Sequence, residues 1–113
     1  MEAYKWADES GKSLGNIREL LRSEKLVVED FWANWCAPCH VMIPIMTDMS
    51  RKFDGRIIFA KVDVQSNMDL AEQFGVNSIP TLILFRNGKE WDRSSGIRNS
   101  TELSKLFEKL SFA

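Results

Sequence analysis

The sequence is poor in cysteine, histidine and long apolar runs, and neither sign of charge predominates. Two cysteines and one histidine in 113 residues exclude a disulfide-rich scaffold, and they are too few for a zinc site built from four such ligands. No apolar run is long enough to span a bilayer, and the first twenty residues hold no signal-peptide core. Fifteen basic and sixteen acidic residues nearly cancel, which argues against nucleic acid or an anionic membrane as a partner. We therefore expect a cytoplasmic protein that binds neither.

The residues that are present predict a single α/β domain over residues 1–113. Hydrophobic residues make up 44% of the chain, which is enough for one packed core at this length. Continuous apolar runs alternate with segments in which apolar residues recur at helical spacing. In chain order, this pattern predicts a weak edge strand at 4–6, a helix at 14–24 with Ser13 as its N-cap, a strand at 25–32, a helix at 38–53, a strand at 56–64, a short helix at 67–74, strands at 81–85 and 90–93, and a helix from about residue 100.

Three local features refine this order of elements. Glu29 and Asp30 are exceptions within the apolar run at 25–32, which otherwise predicts a strand buried on both faces. In the helix at 38–53, Pro44 should produce a kink, and apolar residues recur at every fourth position, namely Val41, Ile45, Met49 and Phe53. Asn87 and Gly88 predict the turn of a β-hairpin. The expected architecture is a sheet with helices on its faces.

Cys36 and Cys39 lie between a predicted buried strand and a predicted helix, and several chemistries fit their spacing. A zinc site would find three ligands here at most, even with His40, so we expect no metal. Covalent haem is a second possibility, since Cys-Ala-Pro-Cys-His satisfies its attachment pattern, but three buried β-type runs argue against a small helical haem domain. Dithiol–disulfide exchange fits best. Two inert, reduced core cysteines are the alternative without chemistry.

The position of each cysteine in the predicted helix gives the two thiols different roles. Residues i and i+3 of a first helical turn share a face, close enough for a disulfide to form. Cys36 precedes that turn, where unpaired backbone N–H groups and the helix dipole favour a thiolate. We therefore expect Cys36 to be exposed and to be the attacking thiol. Cys39, one turn deeper, should resolve the mixed disulfide.

Further motifs resemble those of the thioredoxin family. The matching stretch is DFWANWCAPC at residues 30–39, joined by AKVD at 60–63, IPT at 79–81, NG at 87–88 and Gly96. Their spacing and order follow the family over nearly all of the chain after residue 13. The resemblance implies a thioredoxin fold, in which a central mixed β-sheet of four to five strands is flanked by helices on both faces.

The resemblance also implies roles that spacing alone does not. Pro80 is similar to the family's cis-proline facing the cysteines, and the backbone of Ile79 would pair with an extended substrate segment. Asp30 resembles the family's buried acid behind Cys39, which accepts the proton of that cysteine through water. Lys61 resembles the lysine that pairs near this acid. From the strand pattern alone, Asp30 could instead point to solvent at a strand edge, and Lys61 could be a surface lysine.

A surface for substrate docking is implied as well. We call it the docking rim, and by resemblance it comprises Trp35, Val64, Ile79, Gly96 and Ile97. Trp35 would shield the neighbouring thiol of Cys36 while offering a flat apolar contact. Gly96 would let a partner backbone approach closely. Trp32, three residues before Trp35, should pack inside the protein.

Two departures from the family pattern concern the redox potential. The family usually has Gly-Pro between the cysteines, whereas this chain has Ala37 and Pro38; the family's usual lysine after the second cysteine is His40 here. The methyl group of Ala37 stiffens the turn slightly. A histidine makes any nearby positive charge weaker and pH-dependent. Since about 30 mV in a two-electron couple corresponds to only about 1.4 kcal/mol, either change could move the potential.

The expected function is a thioredoxin-like protein-disulfide reductase that works in electron transport and maintains the redox state of the cytoplasm. Its redox centre would be the reversible Cys36–Cys39 disulfide, with no bound cofactor. Its partners would be disulfide-containing proteins and a donor of the thioredoxin-reductase type, and we expect a monomer. Two alternatives stay open: a disulfide oxidase or isomerase on the same fold, and an adaptor without enzymatic activity whose binding the cysteines gate.

Overall fold

The structure is a computed structural model that describes residues 4–6 as backbone and residues 22–111 in full. Its elements in chain order are β1 (Tyr4–Trp6), β2 (Leu26–Trp32), α1 (Ala37–Lys52), β3 (Ile57–Asp63), α2 (Met68–Gln73), β4 (Thr81–Arg86), β5 (Lys89–Ser95) and α3 (Ser100–Ser111). This order confirms the predicted one from residue 25 onward, and the weak strand at 4–6. The predicted helix at 14–24 and its cap, Ser13, lie outside the described residues except for 22–24, which are irregular rather than helical.

The strands form one mixed five-stranded sheet in the order β1-β3-β2-β4-β5. Strand β3 runs parallel to both β1 and β2, whereas β4 runs antiparallel to β2 and to β5. Strand β2 is therefore the centre of the sheet. The connection from β2 to β3 must cross a face of the sheet because parallel neighbours cannot be joined by a hairpin, and α1 supplies that crossover.

Helices cover both faces of the sheet, as the family resemblance implies. On one face, α1 and α3 pack on the sheet through a cluster that includes Met42, Met46, Phe53, Leu103 and Phe107. On the other face, Leu70 of α2 joins a second cluster with side chains of β2, β3 and β4. Partly buried residues of the loop after α2 pack against this second cluster, namely Phe74, Val76 and Ile79.

All seven residues of β2 are buried, including the two that interrupt its apolar pattern. Glu29 and Asp30 are as inaccessible as their apolar neighbours, which corrects the strand-pattern prediction for Glu29 and agrees with the buried acid that the family resemblance implies at Asp30. The reason is tertiary, since a strand with partners on both edges and helices over both faces leaves no outlet for either side chain. Successive residues of a strand point to opposite faces, so the two carboxyl groups lie on opposite sides of the sheet.

Helix α1 differs in part from its prediction in the residues that face the core. Met49 and Phe53 are buried as the four-residue repeat indicates, but Val41 is 49% exposed, and Met42 and Met46, which the repeat does not include, are fully buried. An exact four-residue repeat drifts around a helix of 3.6 residues per turn, so it cannot follow one buried face. The helix continues through Pro44, and the predicted kink stays a prediction.

The hairpin between β4 and β5 has the turn that was predicted. Asn87 and Gly88 both have positive φ angles, 54° and 79°, as a two-residue turn of this kind requires. Strand β5 forms the sheet edge after this turn and is almost wholly exposed. The hairpin returns the chain so that Gly96, just past β5, lies beside the start of β4.

Candidate active site

Cys36 and Cys39 form a disulfide at the start of α1. Their Cα atoms are 5.2 Å apart, and Cys36 is the N-cap residue of the helix. The Cys36 Sγ accepts a hydrogen bond from the backbone amide of Cys39, 3.2 Å away. Since the first turn of α1 contains no acidic residue, nothing in that turn opposes a negative charge on this sulfur.

The cysteine pair is more buried than the sequence predicts. Cys39 is 1% exposed, as expected for the deeper thiol, but Cys36 is only 5% exposed, so the prediction of an exposed attacker is wrong at the level of the whole residue. Cys36 is covered because it belongs to a small apolar cluster. That cluster consists of Trp32, Ala33 and the two cysteines, with Ile43, Val64 and Ile79 packed against it.

The segment around Pro80 is distant from the cysteines in sequence but lies beside them in the fold. The Ile79–Pro80 peptide bond is cis, as the resemblance implies. The carbonyl oxygen of Ile79 lies 3.9 Å from Cys36 Sγ. The Pro80 carbonyl in turn accepts a hydrogen bond of 2.8 Å from the amide of Gly96, a residue with φ of 85°. Three predicted site residues are thus brought together with the disulfide.

The docking rim has both exposed and half-buried members. Trp35 is 68% exposed and Ile97 is 52% exposed, which are high values for large apolar side chains. Val64 and Ile79 are half-buried, with one side against the cysteine cluster. An apolar surface of this kind next to a disulfide suits contact with another chain. Trp32 is buried, so its predicted packing role is confirmed.

Asp30 and Lys61 are register partners on the parallel strands β2 and β3. Both are buried, which excludes the alternative of an Asp30 at a solvent edge and of a Lys61 on the surface. They point to the face that α1 covers, because Val28, two residues before Asp30, packs in the cluster on that face. The ammonium group of Lys61 also lies 5.4 Å from the centre of the Trp32 ring.

His40, the residue after the disulfide, is exposed but makes two contacts. Its Nε2 lies 2.7 Å from the carbonyl oxygen of Asn34, and its ring meets the Trp32 ring edge-on with centroids 5.8 Å apart. Sequence reasoning missed Asn34 as a partner. No sequence signal could identify it, because the contact is made by a backbone carbonyl that every residue type carries.

Glu29 is the other buried acid of β2, and it lies on the opposite face of the sheet from Asp30. Among the described residues, neither of its carboxylate oxygens has a hydrogen-bond partner. Burial in an apolar surrounding raises the pKa of Glu29 from 4.5 to about 8, because desolvation penalises the charged form. The group therefore holds its proton at neutral pH.

Within residues 22–111, no group of three or more histidine, cysteine, aspartate or glutamate side chains is arranged to hold a metal ion. In the same part of the chain, every helix is too short or too polar to cross a bilayer.

Comparison with known proteins agrees with this site. The family model described as Thioredoxin matches residues 14–109. Thioredoxin 1 of Nostoc sp. is 38% identical over 92 residues, which cover 81% of this chain and 86% of that protein. The thioredoxin of Rickettsia felis is 35% identical over 86 residues, covering 76% of this chain and 82% of that protein.

Solved structures of thioredoxins are similar in fold as well. A thioredoxin from Malassezia sympodialis superposes with a TM-score of 0.87 at 27% identity and covers 98% of this chain and 93% of its own. A mutant thioredoxin from Halobacterium salinarum gives a TM-score of 0.85 at 26% identity, with 97% and 93% covered. The likeness therefore extends over almost the whole length of both chains.

Proposed function

Because this chain belongs to the thioredoxin family and is a protein-disulfide reductase that works through its Cys36–Cys39 pair, we propose that Cys36 attacks the substrate and Cys39 releases it. The Cys36 thiolate forms a bond to one substrate sulfur and the substrate disulfide breaks, so that the other sulfur leaves as a thiolate. The Cys39 thiolate then attacks Cys36 Sγ and expels the second substrate sulfur. The substrate gains two electrons, the leaving thiolates take up two protons, and the enzyme ends as the disulfide.

The observation that carries this assignment is the position of Cys36 Sγ at the N-cap of α1. It accepts the amide hydrogen of Cys39 and lies at the positive end of a 16-residue helix. Both features stabilise a thiolate more than a thiol, and a thiolate is the attacking species. Cys39 lies inside the first turn and lacks this arrangement, which suits it for the second step.

The substrate would dock along the docking rim. An extended segment would pair with the backbone of Ile79, whose carbonyl lies beside Cys36 Sγ, in the manner of strand addition. Pro80 has no amide hydrogen to donate to the substrate, so the backbone of Ile79 would make this pairing. The exposed side chains of Trp35 and Ile97 would supply apolar contact, with Val64 and Gly96 completing the surface.

Asp30 and Lys61 would handle the proton of Cys39. Asp30 lies on the sheet face that α1 covers, the helix that carries Cys39, and its register partner is Lys61. An acid behind the second thiol can accept its proton through water and so activate it for the release step. The ammonium group of Lys61 would balance the negative charge of that acid in a buried place.

Ala37, Pro38 and His40 would tune the redox potential. They occupy the first helical turn, where a methyl group, a rigid ring or a titratable charge acts directly on the balance between dithiol and disulfide. Proline immediately before Cys39 and the family membership favour a reducing potential, and hence a reductase that works in electron transport.

We extend the proposal from the family to the wider setting of the protein. The substrates would be disulfide-containing proteins, and a donor of the thioredoxin-reductase type would regenerate the dithiol. We place the protein in the cytoplasm as a monomer, with one domain over residues 1–113 and no bound cofactor. The family match over residues 14–109 supports a single domain.

An insulin-disulfide reduction assay with dithiothreitol as donor, combined with a redox titration, tests the reductase. We expect turnover and a midpoint potential near the value of about −270 mV typical of thioredoxins. A much less negative potential would indicate the oxidase or isomerase, and no turnover at all would refute the reductase. Loss of reduction in Cys36→Ser with unchanged partner binding and biological output would favour the adaptor.

A further inference from the structure

His40 is hydrogen-bonded to the loop that precedes its own helix. Its Nε2 lies 2.7 Å from the Asn34 carbonyl oxygen. A carbonyl oxygen can only accept a hydrogen bond, so the nitrogen that faces it must carry the proton. The imidazole therefore donates here both as the neutral Nε2–H form and as the imidazolium, and the contact does not depend on the charge of the ring.

The loop in question consists of residues 33–35, between the end of β2 and the N-cap of α1. Its carbonyl at Ala33 accepts a hydrogen bond of 3.2 Å from the amide of Cys36, and its next carbonyl, at Asn34, accepts the one from His40. The His40 ring is placed for this by its edge-on contact with buried Trp32. Two consecutive peptide groups of the loop are thus tied to α1.

Trp35 is the residue that this loop presents. Its side chain is 68% exposed, so few side-chain contacts hold it in place. The direction of an exposed side chain then depends mainly on the backbone that carries it. His40 is hydrogen-bonded to the carbonyl of the Asn34–Trp35 peptide group, and the orientation of this peptide group determines the backbone direction at Trp35.

We propose that His40 is a positioning residue for substrate docking, which holds the Asn34 carbonyl and thereby presents Trp35 beside Cys36. The inference rests on the docking role proposed for Trp35. It adds to His40 a task separate from the redox potential, because the hydrogen bond acts on the loop whereas the charge acts on the sulfurs. A small disulfide reagent senses only the thiol chemistry, and a protein substrate senses the rim as well.

Two substitutions at His40 separate these tasks. His40→Ala removes both the ring charge and the donor, whereas His40→Gln removes the charge but keeps an amide N–H donor at the end of the side chain. Any effect on the potential should therefore be shared by the two variants. Asp48→Ala, an exposed change later in the same helix, is the matched control.

The measured quantity is the second-order rate constant for reduction of the protein disulfides of insulin, divided by the rate constant for reduction of a small aromatic disulfide. We expect His40→Ala to lower this ratio about threefold to tenfold, the range for one lost hydrogen bond, and His40→Gln and Asp48→Ala to stay within about twofold of the wild type. The indole N–H signal of Trp35 can be assigned because it is missing in Trp35→Phe. Of the His40 and Asp48 variants, only His40→Ala should show greater motion in the nitrogen-15 relaxation of this signal.

An unchanged ratio in His40→Ala would overturn the proposal, and so would an equal fall in His40→Ala and His40→Gln, which would assign the effect to charge. Failure of the reductase function gives a different result, since the wild-type protein would then reduce neither substrate. A Trp35→Ala variant with the wild-type ratio would refute the docking role on which the inference rests.

Discussion

Glu29 and Asp30 are neighbours on the central strand, and both are fully buried on opposite faces of the sheet. Asp30 faces α1 and is in register with Lys61. Glu29 faces the apolar cluster of the second face, where its register partners are Ala60 on β3 and Ile83 on β4. One carboxyl group therefore lies opposite a basic residue on the face that α1 covers, and the other lies among apolar groups, without a hydrogen-bond partner for its oxygens in the described part of the chain.

Glu29 should make the stability of the protein fall as the pH rises. Burial raises the pKa of Glu29 from 4.5 to about 8, so the folded chain keeps a proton that the unfolded chain releases between these values. The stabilisation is complete below pH 4.5 and is lost as the pH rises to about 8, at a cost of up to about 5 kcal/mol in the free energy of unfolding. Urea denaturation from pH 5 to pH 9 measures it.

Glu29→Gln is the variant that tests this dependence. Its amide has nearly the same shape and does not titrate, so it should match the wild type at pH 5 and be several kcal/mol more stable at pH 9. Glu24→Gln, on an exposed turn before β2, should leave the curve unchanged. Parallel curves for Glu29→Gln and the wild type would contradict the prediction.

Cys39→Ser should trap the substrate on the enzyme. The amide of residue 39 that donates to Cys36 Sγ belongs to the backbone and survives this substitution, so Cys36 should still attack. Without the second thiol the mixed disulfide cannot be resolved and should accumulate. Mass spectrometry of the intact adduct, before and after added dithiothreitol, detects it. Cys36→Ser should form no adduct. An adduct of equal yield in Cys36→Ser would contradict the assignment of Cys36 as the attacking thiol.

Gly96→Ala should separate backbone strain from docking. At φ of 85° an alanine is strained, and no atom lies within 4 Å of the added methyl group, so the cost in stability should be about 1 kcal/mol from conformation alone. The methyl group would also stand on the docking rim and should slow reduction of protein disulfides more than that of a small disulfide.

Gly55→Ala is the matched control for that experiment. Gly55 has φ of 84°, also with no atom within 4 Å of an added methyl group, but it lies past the far end of α1. It should show the same loss in urea denaturation without any change in the rate ratio. Equal rate ratios for the two alanine variants would remove Gly96 from the docking rim.

Phe107→Ala should be the most destabilising of these changes. Phe107 is fully buried and meets Phe53 and Phe59 with ring centroids 5.9 and 5.6 Å away. Truncation leaves a cavity between α3, α1 and β3, and we expect a loss of about 3–5 kcal/mol in urea denaturation. Lys105→Ala, exposed on the same helix, should change stability by less than about 0.5 kcal/mol. A loss for Phe107→Ala no larger than that of the control would contradict the packing.

The local pattern of apolar residues was sufficient to predict the order of elements but not the buried face of α1. The apolar runs at β2, β3 and β4 predicted their strands because a strand buried on both sides has few polar positions. In α1 the four-residue apolar repeat wrongly indicated that Val41 is buried. Apolar residues stand on several sides of this helix, and only packing selects Met42 and Met46 for the core. Glu29 was missed for the complementary reason, because a charged residue type does not by itself indicate burial.

The Cys36–Cys39 pair and its place between a strand and a helix could be predicted from the sequence because they depend on residues close in the chain. The family could be predicted as well, because it depends only on short motifs and their order along the chain. The surroundings of the pair depend on residues that are far apart. Ile79 reaches Cys36 only because β4 pairs with β2, and Gly96 reaches Pro80 only because the hairpin returns β5 along β4. Sheet pairing, which joins distant segments through backbone groups common to all residues, decided these contacts.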